Sequence, residues 1–310
     1  MYRNIWITQK LSCVAIIGAL IIAASVSAIA QNSAGGVPPV AQPTPTQQAK
    51  PSPSLERRFL TNILRDQRAI WTSPFHIERG DAKWLLPFGL STAALLATDH
   101  RSASELAENG DNLSRLRISR YVSRGGSFYT TGGVAAAFYL IGRASGNARA
   151  RETGLLSAES LIDSGIVAQA LKFTTQRPRP REDNASGEFF DGGNAFPSGH
   201  ATSAWSLATV VAYEYGQHRP LVRFGAYGLA TAVSLSRYTG RNHFLSDVLV
   251  GSAIGYGIGR YVYRTHHDPS LDTDDGATRA TGTHSKLIPF TSPLFSRASR
   301  SYGLALAWNF

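Results

Sequence analysis

The chain has 310 residues, enough to bury a substantial core as one large domain or two ordinary ones. Its hydrophobic fraction of 43% is ordinary for a globular protein and too low for a chain made mostly of membrane spans. The net charge of +10 favours anionic partners. Because the basic residues are scattered, with no basic tail or long lysine run, nucleic acid is not expected among them.

The N-terminus has the pattern of a secretory signal. Arg3 and Lys10 form a basic start, and an apolar stretch over residues 11–26 precedes a small-x-small sequence that ends at Ala30. The alternative is an uncleaved anchor helix, although the apolar stretch is near the short end for spanning a membrane. We therefore predict that residues 1–30 are a signal peptide.

Cysteine usage agrees with export. The single cysteine, Cys13, lies within this signal and lacks the small preceding residue that a lipoprotein signal needs. The mature chain would have no cysteine, which excludes disulfides, cysteine nucleophiles and thiolate metal sites. An exported chain without cysteine indicates a bacterial periplasm or cell-envelope surface.

A tether and an amphipathic segment follow the signal. Residues 31–54 are rich in Pro, Gln, Ala and Ser without apolar periodicity, which predicts a flexible tether. From Leu55 to Trp71 apolar residues recur at helical spacing. Arginines lie mainly on the other side: Arg57, Arg58, Arg65 and Arg68. We expect this helix to pack against the core, with contact to an anionic membrane surface as the alternative.

Six further apolar stretches have the length and spacing of helices. They are Trp84–Thr98, Ser127–Ile141, Gly154–Phe173, Ala201–Tyr215, Phe224–Ser236 and Ser246–Tyr263. A helix that crosses a bilayer needs about 20 mainly apolar residues. The longest uncharged run has 18 residues, at 125–142, and its first half is Gly, Ser, Thr and Tyr. We therefore predict an all-α protein with one helical-bundle domain over residues 55–264, and not a polytopic membrane protein.

The C-terminal residues 265–310 have a different character. Residues 265–286 are polar and rich in Asp, Thr and Gly, which is typical of a loop. In the last nine residues large apolar side chains alternate with small or polar ones, from Tyr302 to Phe310. Such alternation predicts a short strand-like tail.

Three short segments have residues suited to phosphate chemistry. In the first, Lys172 stands at a predicted helix end and Arg179 follows in a proline-fixed loop before Pro180. Arginine offers phosphate a planar fork of donors, and lysine offers it a point charge. Alone, such a loop is usually a solvated surface.

The second segment is Pro197-Ser198-Gly199-His200, which leads directly into a predicted helix. Serine is a favoured N-cap, and the unpaired amides of the first helical turn form an anion site. His200 at the mouth of that site is able to donate a proton. The segment alone is more typical of an ordinary capped helix with a surface histidine.

The third segment brings together a cation, an imidazole and a carboxylate. It contains Ser236, Arg237, His243 and Asp247. Residues four apart share one face of a helix, and a carboxylate beside an imidazole fixes its tautomer and stabilises the imidazolium. A His/Asp pair at this spacing is more often a surface pair than a catalytic one.

In this order and spacing the three segments resemble the signature of the type 2 phosphatidic acid phosphatase and vanadium haloperoxidase superfamily. That signature is K-x6-R-P, then P-S-G-H, then S-R-x5-H-x3-D. Every fixed position is present: Lys172, Arg179, Pro180, Pro197, Ser198, Gly199, His200, Ser236, Arg237, His243 and Asp247. The resemblance is tight from about Asp163 to Tyr263, looser over the helices from Leu55, and absent from the tether and the tail.

The resemblance implies a metal-independent phosphatase with its active site at one end of the bundle. His243 is expected to attack phosphorus and form a phosphohistidine, Asp247 to orient it, and His200 to protonate the leaving oxygen and then activate water. The phosphoryl oxygens are expected to be held by Lys172, Arg179, Ser198, the Gly199 amide and Arg237. No metal or other cofactor is expected, because three cations and a helix N-terminus supply the positive charge that magnesium supplies elsewhere.

Three additional arginines lie in the same segments. They are Arg177, Arg181 and Arg241. We expect them either to touch a second phosphate or a lipid surface, or to be solvated.

The expected substrate is a phosphomonoester or a diphosphate. Export, basic charge and the resemblance favour a lipid phosphate such as phosphatidate or a polyprenyl diphosphate, with peripheral contact to an anionic membrane. Soluble phosphomonoesters fit the short helices equally well. The alternatives are a vanadate-dependent haloperoxidase, for which the chain is short, a non-catalytic phosphate- or lipid-binding surface protein, and a phosphotransferase.

Overall fold

A computed structural model describes residues 55–108, 113–182, 186–217, 219–272, 290–296 and 301–307. The signal peptide and the tether predicted for residues 1–54 lie outside these residues. The helices up to His267 belong to one compact unit, and the residues from Asp268 to the C-terminus belong to a second.

The first unit is all-α, as the sequence predicts. Its helices are α1 (Leu55–Thr72), α2 (Ala82–Glu108), α3 (Leu113–Arg124), α4 (Phe128–Ser145), α5 (Ala148–Thr175), α6 (Gly199–Gly216), α7 (Pro220–Thr239) and α8 (Leu245–His266). Short 3-10 turns at Ser73–His76 and Arg79–Asp81 join α1 to α2. Helix α3 was not predicted, because frequent arginines interrupt its apolar residues.

Local signals in the sequence set several helix ends. Ser127 caps α4 by accepting the Thr130 amide at 3.2 Å, and Asn147 caps α5 by accepting the Ala150 amide at 2.9 Å. Gly146 ends α4 with a φ of 71°, a left-handed conformation that glycine adopts without strain.

Helix α6 is the centre of the bundle. Its Val210 packs with residues of α5 and α8, including Leu156 and Val262, and its Leu207 packs with Val134 and other residues of α4 and α5. Alanines of the same helix pack against α7. The core therefore surrounds α6 on three sides and fixes the direction of its N-terminus.

A row of glycines brings α8 against α6. A Cβ atom at Gly251 would lie 2.6 Å from the Ser198 carbonyl oxygen, and one at Gly255 would meet the carbonyl oxygen of Thr202. The same holds at Gly259, which would meet the Ser206 carbonyl oxygen at 2.9 Å. Helix α8 thus packs on the backbone of α6, which sets the start of α8 beside the N-terminus of α6.

Helix α1 packs in a way that the sequence did not indicate. Its fully buried residues are the polar Asn62 and Asp66, whereas Leu60 is 74% exposed and Leu64 is 73% exposed. Ile70 does pack against the core. The expectation that the apolar face of this helix packs inward is therefore wrong for its outer residues.

No helix within the described residues combines the length and the hydropathy needed to cross a bilayer.

The second unit contains an antiparallel hairpin. Strand β1 (Phe290–Ser296) pairs with β2 (Ser301–Ala307), with Phe290 opposite Ala307. Strand β2 confirms the predicted strand up to Ala307, whereas residues 308–310 lie outside the described part of the chain. Strand β1 was not predicted, and α8 extends two residues into the segment assigned to a loop.

The glycine row gives a direct test of helix packing. Gly251→Ala should lower the free energy of unfolding by about 1–3 kcal/mol, because its methyl group overlaps the backbone of α6. Gly257→Ala is the matched control on the same helix, since its Cβ meets nothing within 4 Å and alanine favours a helix by about 0.5–1 kcal/mol. Urea unfolding followed by circular dichroism measures both. Equal effects of the two variants would contradict the packing described.

Candidate active site

The basic residues of the first segment lie at the end of α5. Lys172 is in the last turn, and its Nζ donates to the Asn194 carbonyl at 2.5 Å. Its Cε would lie 3.8 Å from a Cβ placed at Gly199, so the lysine reaches the N-terminus of α6. Arg179 follows in the loop, and its Nε is buried without a hydrogen-bond partner.

The N-terminus of α6 has an unusual cap. Ser198 occupies the N-cap position and is fully buried, yet its hydroxyl caps no amide and has no hydrogen-bond partner. Its own amide donates to the Asp247 carbonyl at 3.0 Å, which ties this turn to α8. A buried hydroxyl without a partner costs free energy unless a ligand binds it, and Gly199 and His200 follow directly in the first turn.

His243 is held in one orientation. It is 3% exposed and lies in the turn before α8, so it is not on the helix that carries Asp247. Its Nδ1 lies 2.8 Å from the Ala195 carbonyl oxygen and 3.5 Å from Asp247 Oδ2. Because a carbonyl only accepts, Nδ1 must donate, which leaves the lone pair of the neutral ring on Nε2. The sequence did not identify the Ala195 carbonyl.

A buried guanidinium supports Asp247. Arg177 donates to Asp247 Oδ1 at 2.7 Å and to Asp99 Oδ2 at 2.9 Å. It also donates to the Ser246 hydroxyl at 2.8 Å, and its guanidinium carbon lies 4.1 Å from the centre of the Phe244 ring. With 1% of its surface exposed, Arg177 neither reaches a second phosphate or a lipid surface nor is solvated, so both expectations are wrong for this residue.

Asp99 was missed by the sequence analysis. It lies 78 positions before Arg177, and it is 1% exposed on α2. Besides Arg177 it accepts from the Ser246 hydroxyl and the Ser246 amide. The available signal was an aspartate that directly follows the apolar stretch of α2, since buried carboxylates need partners.

Burial and mutual repulsion lower the basicity of the site. Burial, followed by the charges of Arg237, His243, Arg179 and Lys172, lowers the pKa of His200 to about 3. Burial lowers the pKa of His243 to about 4, although Asp247 acts in the opposite direction. Both imidazoles are therefore neutral at pH 7.

The cations repel one another as well. Burial, together with Arg179 and Arg237, lowers the pKa of Lys172 to about 8, although Asp247 acts in the opposite direction. Burial and then the neighbouring Arg179 and Arg181 lower the pKa of Arg237 to about 10. Positive charge gathered in this way, with few bonds to anions, favours the binding of a phosphoryl group.

The structure thus brings the predicted site residues together. Eight residues lie close enough to contact one another or to shift one another's pKa values. They are Lys172, Arg179, Ser198, Gly199, His200, Arg237, His243 and Asp247. They come from the end of α5, the start of α6, the end of α7 and the start of α8. This is one end of the bundle, and the catalytic roles of these residues remain proposals.

A comparison with family models matches residues 153–270 to the PAP2 superfamily. We refer to residues 153–270 as the PAP2 segment. The resemblance found in the sequence is confirmed by this match, and the PAP2 segment contains all eight residues gathered at this end of the bundle.

Among curated proteins, the PAP2 segment is similar to the lipid A 1-phosphatase of Porphyromonas gingivalis. The two are 37% identical over 99 residues, which is 32% of this chain. The match spans only about a fifth, 20%, of the length of that relative.

Two solved structures are more distant. LpxE from Aquifex aeolicus is 19% identical, with a TM-score of 0.41 over 52% of this chain and 92% of its own. The first transmembrane PAP2 type phosphatidylglycerolphosphate phosphatase from Bacillus subtilis is 20% identical, with a TM-score of 0.45 over 58% and 94%. Both are too remote to add to what the helices of this chain show.

Loss of the Asp99 carboxylate should weaken the whole site. Asp99→Asn leaves the buried Arg177 with one carboxylate partner, so we expect a loss of about 3 kcal/mol or more in the free energy of unfolding. Glu105→Gln, in an exposed ion pair on the same helix, should change it by less than about 0.5 kcal/mol. Urea titrations of both variants make the comparison, and a stable Asp99→Asn protein would show that Arg177 is held by other means.

Anion binding should raise the pKa of His200. Saturating inorganic phosphate adds negative charge beside the imidazole and favours its protonated form, so the pKa of His200 should rise from about 3 by about one pH unit or more. Nitrogen-15 NMR of the histidine rings measures this, with the exposed His76 as an internal control. An unchanged His200 titration would place the bound anion elsewhere.

Proposed function

We propose that this protein is a phosphatase that hydrolyses a lipid phosphate through a phosphohistidine on His243. The observation that carries the proposal is the orientation of that histidine. Nδ1 of His243 donates to the Ala195 carbonyl, so the lone pair is on Nε2. Around it lie the buried Arg237, the half-buried Lys172 and Arg179, and the buried Ser198 hydroxyl, which has no hydrogen-bond partner. A nucleophile for phosphorus needs this tautomer and this electrostatic environment.

The steps follow from the positions of the groups. Nε2 of His243 attacks phosphorus while the bond to the leaving oxygen breaks, and His200 donates a proton to that oxygen. The negative charge of the bound phosphate raises the pKa of His200, so that His200 is protonated before this step. A water molecule then attacks the phosphorus of the phosphohistidine and gives a proton to His200, and the P–Nε2 bond breaks, which releases phosphate and restores His243. Asp247 stabilises the positive charge that develops on the His243 ring.

Phosphoryl oxygens are held by charge and by the helix N-terminus. Lys172, Arg179 and Arg237 supply the cations, and the Ser198 hydroxyl and the Gly199 amide supply neutral donors. These groups take the part that magnesium takes in other phosphatases. The proposed reaction is therefore metal-independent.

A lipid substrate is favoured by two observations. The curated relative is named a lipid A 1-phosphatase, although the match covers a fifth of it. In addition, α1 and the chain after it expose large apolar side chains, with Leu60 74%, Phe75 85% and Trp84 73% exposed. The exposed arginines of α1 accompany them. Exposed apolar and basic side chains on one helix suit peripheral contact with an anionic membrane, and we place the protein at the cell-envelope surface after export.

The decisive experiment measures phosphate release in excess chelator. The substrates are para-nitrophenyl phosphate, a short-chain phosphatidate and a polyprenyl diphosphate, the last two with and without anionic vesicles. Turnover should survive the chelator and be fastest on a lipid. His243→Ala should lower kcat by at least about a thousandfold, because no other group replaces the nucleophile. His76→Ala, at an exposed histidine, is the control.

The outcomes separate the alternatives. Acid-labile labelling of the wild-type protein by a phosphorus-32 substrate, absent from His243→Ala, would support the phosphohistidine. Activity retained in His243→Ala would overturn the mechanism. Preference for para-nitrophenyl phosphate would overturn the lipid assignment alone, and halide oxidation after vanadate loading without phosphate release would indicate a haloperoxidase.

A further inference from the structure

A second group of ionisable residues lies near the other end of α8. Asp66 on α1, Glu159 on α5 and His266 at the end of α8 have ligand atoms that all lie within 4.8 Å of one another. His266 Nε2 is 2.9 Å from Asp66 Oδ2 and 3.5 Å from Glu159 Oε1. The two carboxylates are 0% and 1% exposed, respectively, so water does not solvate them.

The negative charges of these carboxylates are not fully balanced by nearby positive charges or hydrogen-bond donors. Glu159 Oε1 is buried and has no hydrogen-bond partner, and neither does Oδ2 of Asp163, which lies one turn further along α5. The groups that act most on Glu159 are Asp66, Asp163 and Asn62, with no lysine or arginine among them. Those that act most on Asp163 are Gln67, Asp66 and His266, again without a lysine or arginine.

Buried carboxylates of this kind need either protons or a cation. One imidazole supplies at most one positive charge for Asp66, Glu159 and Asp163. A divalent ion among them would neutralise two negative charges and fill the free coordination position of Glu159 Oε1. The unpartnered oxygen therefore points to a ligand.

We propose that Asp66, Glu159 and His266 bind a divalent transition metal ion, with zinc as the best fit. Zinc bonds of 2.0–2.2 Å to oxygen and nitrogen place neighbouring tetrahedral ligand atoms about 3.3 Å apart. The contacts of 2.9 and 3.5 Å around His266 Nε2 are close to that spacing. Calcium and magnesium prefer oxygen ligands only, whereas an imidazole favours zinc.

Neighbouring side chains hold the ligands in place. The Tyr261 hydroxyl donates to Asp66 Oδ1 at 3.1 Å. The Gln67 amide donates to Asp163 Oδ1 at 2.9 Å, which joins α1 and α5 beside the group. Such outer hydrogen bonds orient metal ligands.

The metal would have a structural role. His266 is 19 positions after Asp247 on α8, so the two lie about 28 Å apart along the helix. The metal would fasten α1, whose buried residues are polar, to α5 and α8. It would take no part in the phosphatase reaction proposed above.

A neighbouring group provides a comparison. Glu152, Glu214 and His267 also have ligand atoms within 4.8 Å of one another. Glu214 Oε1 and Oε2 are also buried without a hydrogen-bond partner, but Arg149 Nη1 donates to the Glu214 backbone carbonyl at 3.4 Å, so a permanent positive charge is already present beside this group. We therefore assign the metal to the first group and use the second as the control.

Zinc binding by the full-length protein tests the assignment. After treatment with a chelator and removal of the chelator, titration with zinc chloride should show one ion bound per chain, at least tenfold more tightly than calcium. Zinc at a hundredfold excess over its Kd should raise Tm by about 5 °C or more. A Kd weaker than about 100 μM, or equal affinity for calcium, would overturn the proposal.

Matched variants locate the site. Glu159→Gln keeps the shape of the side chain and removes its charge, so zinc affinity should fall at least a hundredfold while the metal-free protein keeps its Tm or gains. Glu214→Gln should bind zinc like the parent. Zinc binding lost in Glu214→Gln, or unchanged in Glu159→Gln, would contradict the assignment. Phosphate release by Glu159→Gln at 20 °C should equal that of the parent, whichever way the phosphatase proposal is decided.

Discussion

One buried guanidinium holds the candidate active site together. Arg177 bonds Asp99 of α2 and Asp247 of α8, and its backbone carbonyl accepts the amide of Ala195. Ala195 in turn supplies the carbonyl that orients His243. The loop between α5 and α6, the start of α8 and His243 therefore depend on one residue, Arg177, whose side chain is buried.

The other charged and ionisable groups of the site repel one another, which lowers the stability of this end of the bundle. Lys172, Arg179 and Arg237 repel one another and the protonated forms of His200 and His243. Burial first, and then this repulsion, lowers the pKa values of Lys172, Arg237, His200 and His243. Such an arrangement persists only when the surrounding bundle is rigid. An anion relieves the repulsion, so the binding of a phosphoryl group and the stability of this end of the bundle are thermodynamically linked.

Much of the fold and of the candidate active site could be predicted from the sequence. Helical spacing located seven of the eight helices in the described part of the first unit, and the spacing within three motifs identified the eight residues that meet at one end. It could not show that Arg177 turns inward, because its partner Asp99 is 78 positions away and nothing local distinguishes a buried arginine from a solvated one. The Ala195 carbonyl is backbone, which no residue type reveals. The prediction that the apolar face of α1 packs inward was wrong for its outer residues, because apolar periodicity does not show whether that face lies against the core or in solvent.

The glycine row of α8 also affects the distance between His200 and His243. His200 lies in the first turn of α6 and His243 precedes α8, and backbone oxygens at the start of α6 lie closest to Gly251 and Gly255, where a Cβ would overlap them. Backbone atoms have no side-chain rotamers to change as temperature rises. The separation of His200 and His243 is thus limited by steric exclusion between two helix backbones, and it changes when the helices move as whole bodies.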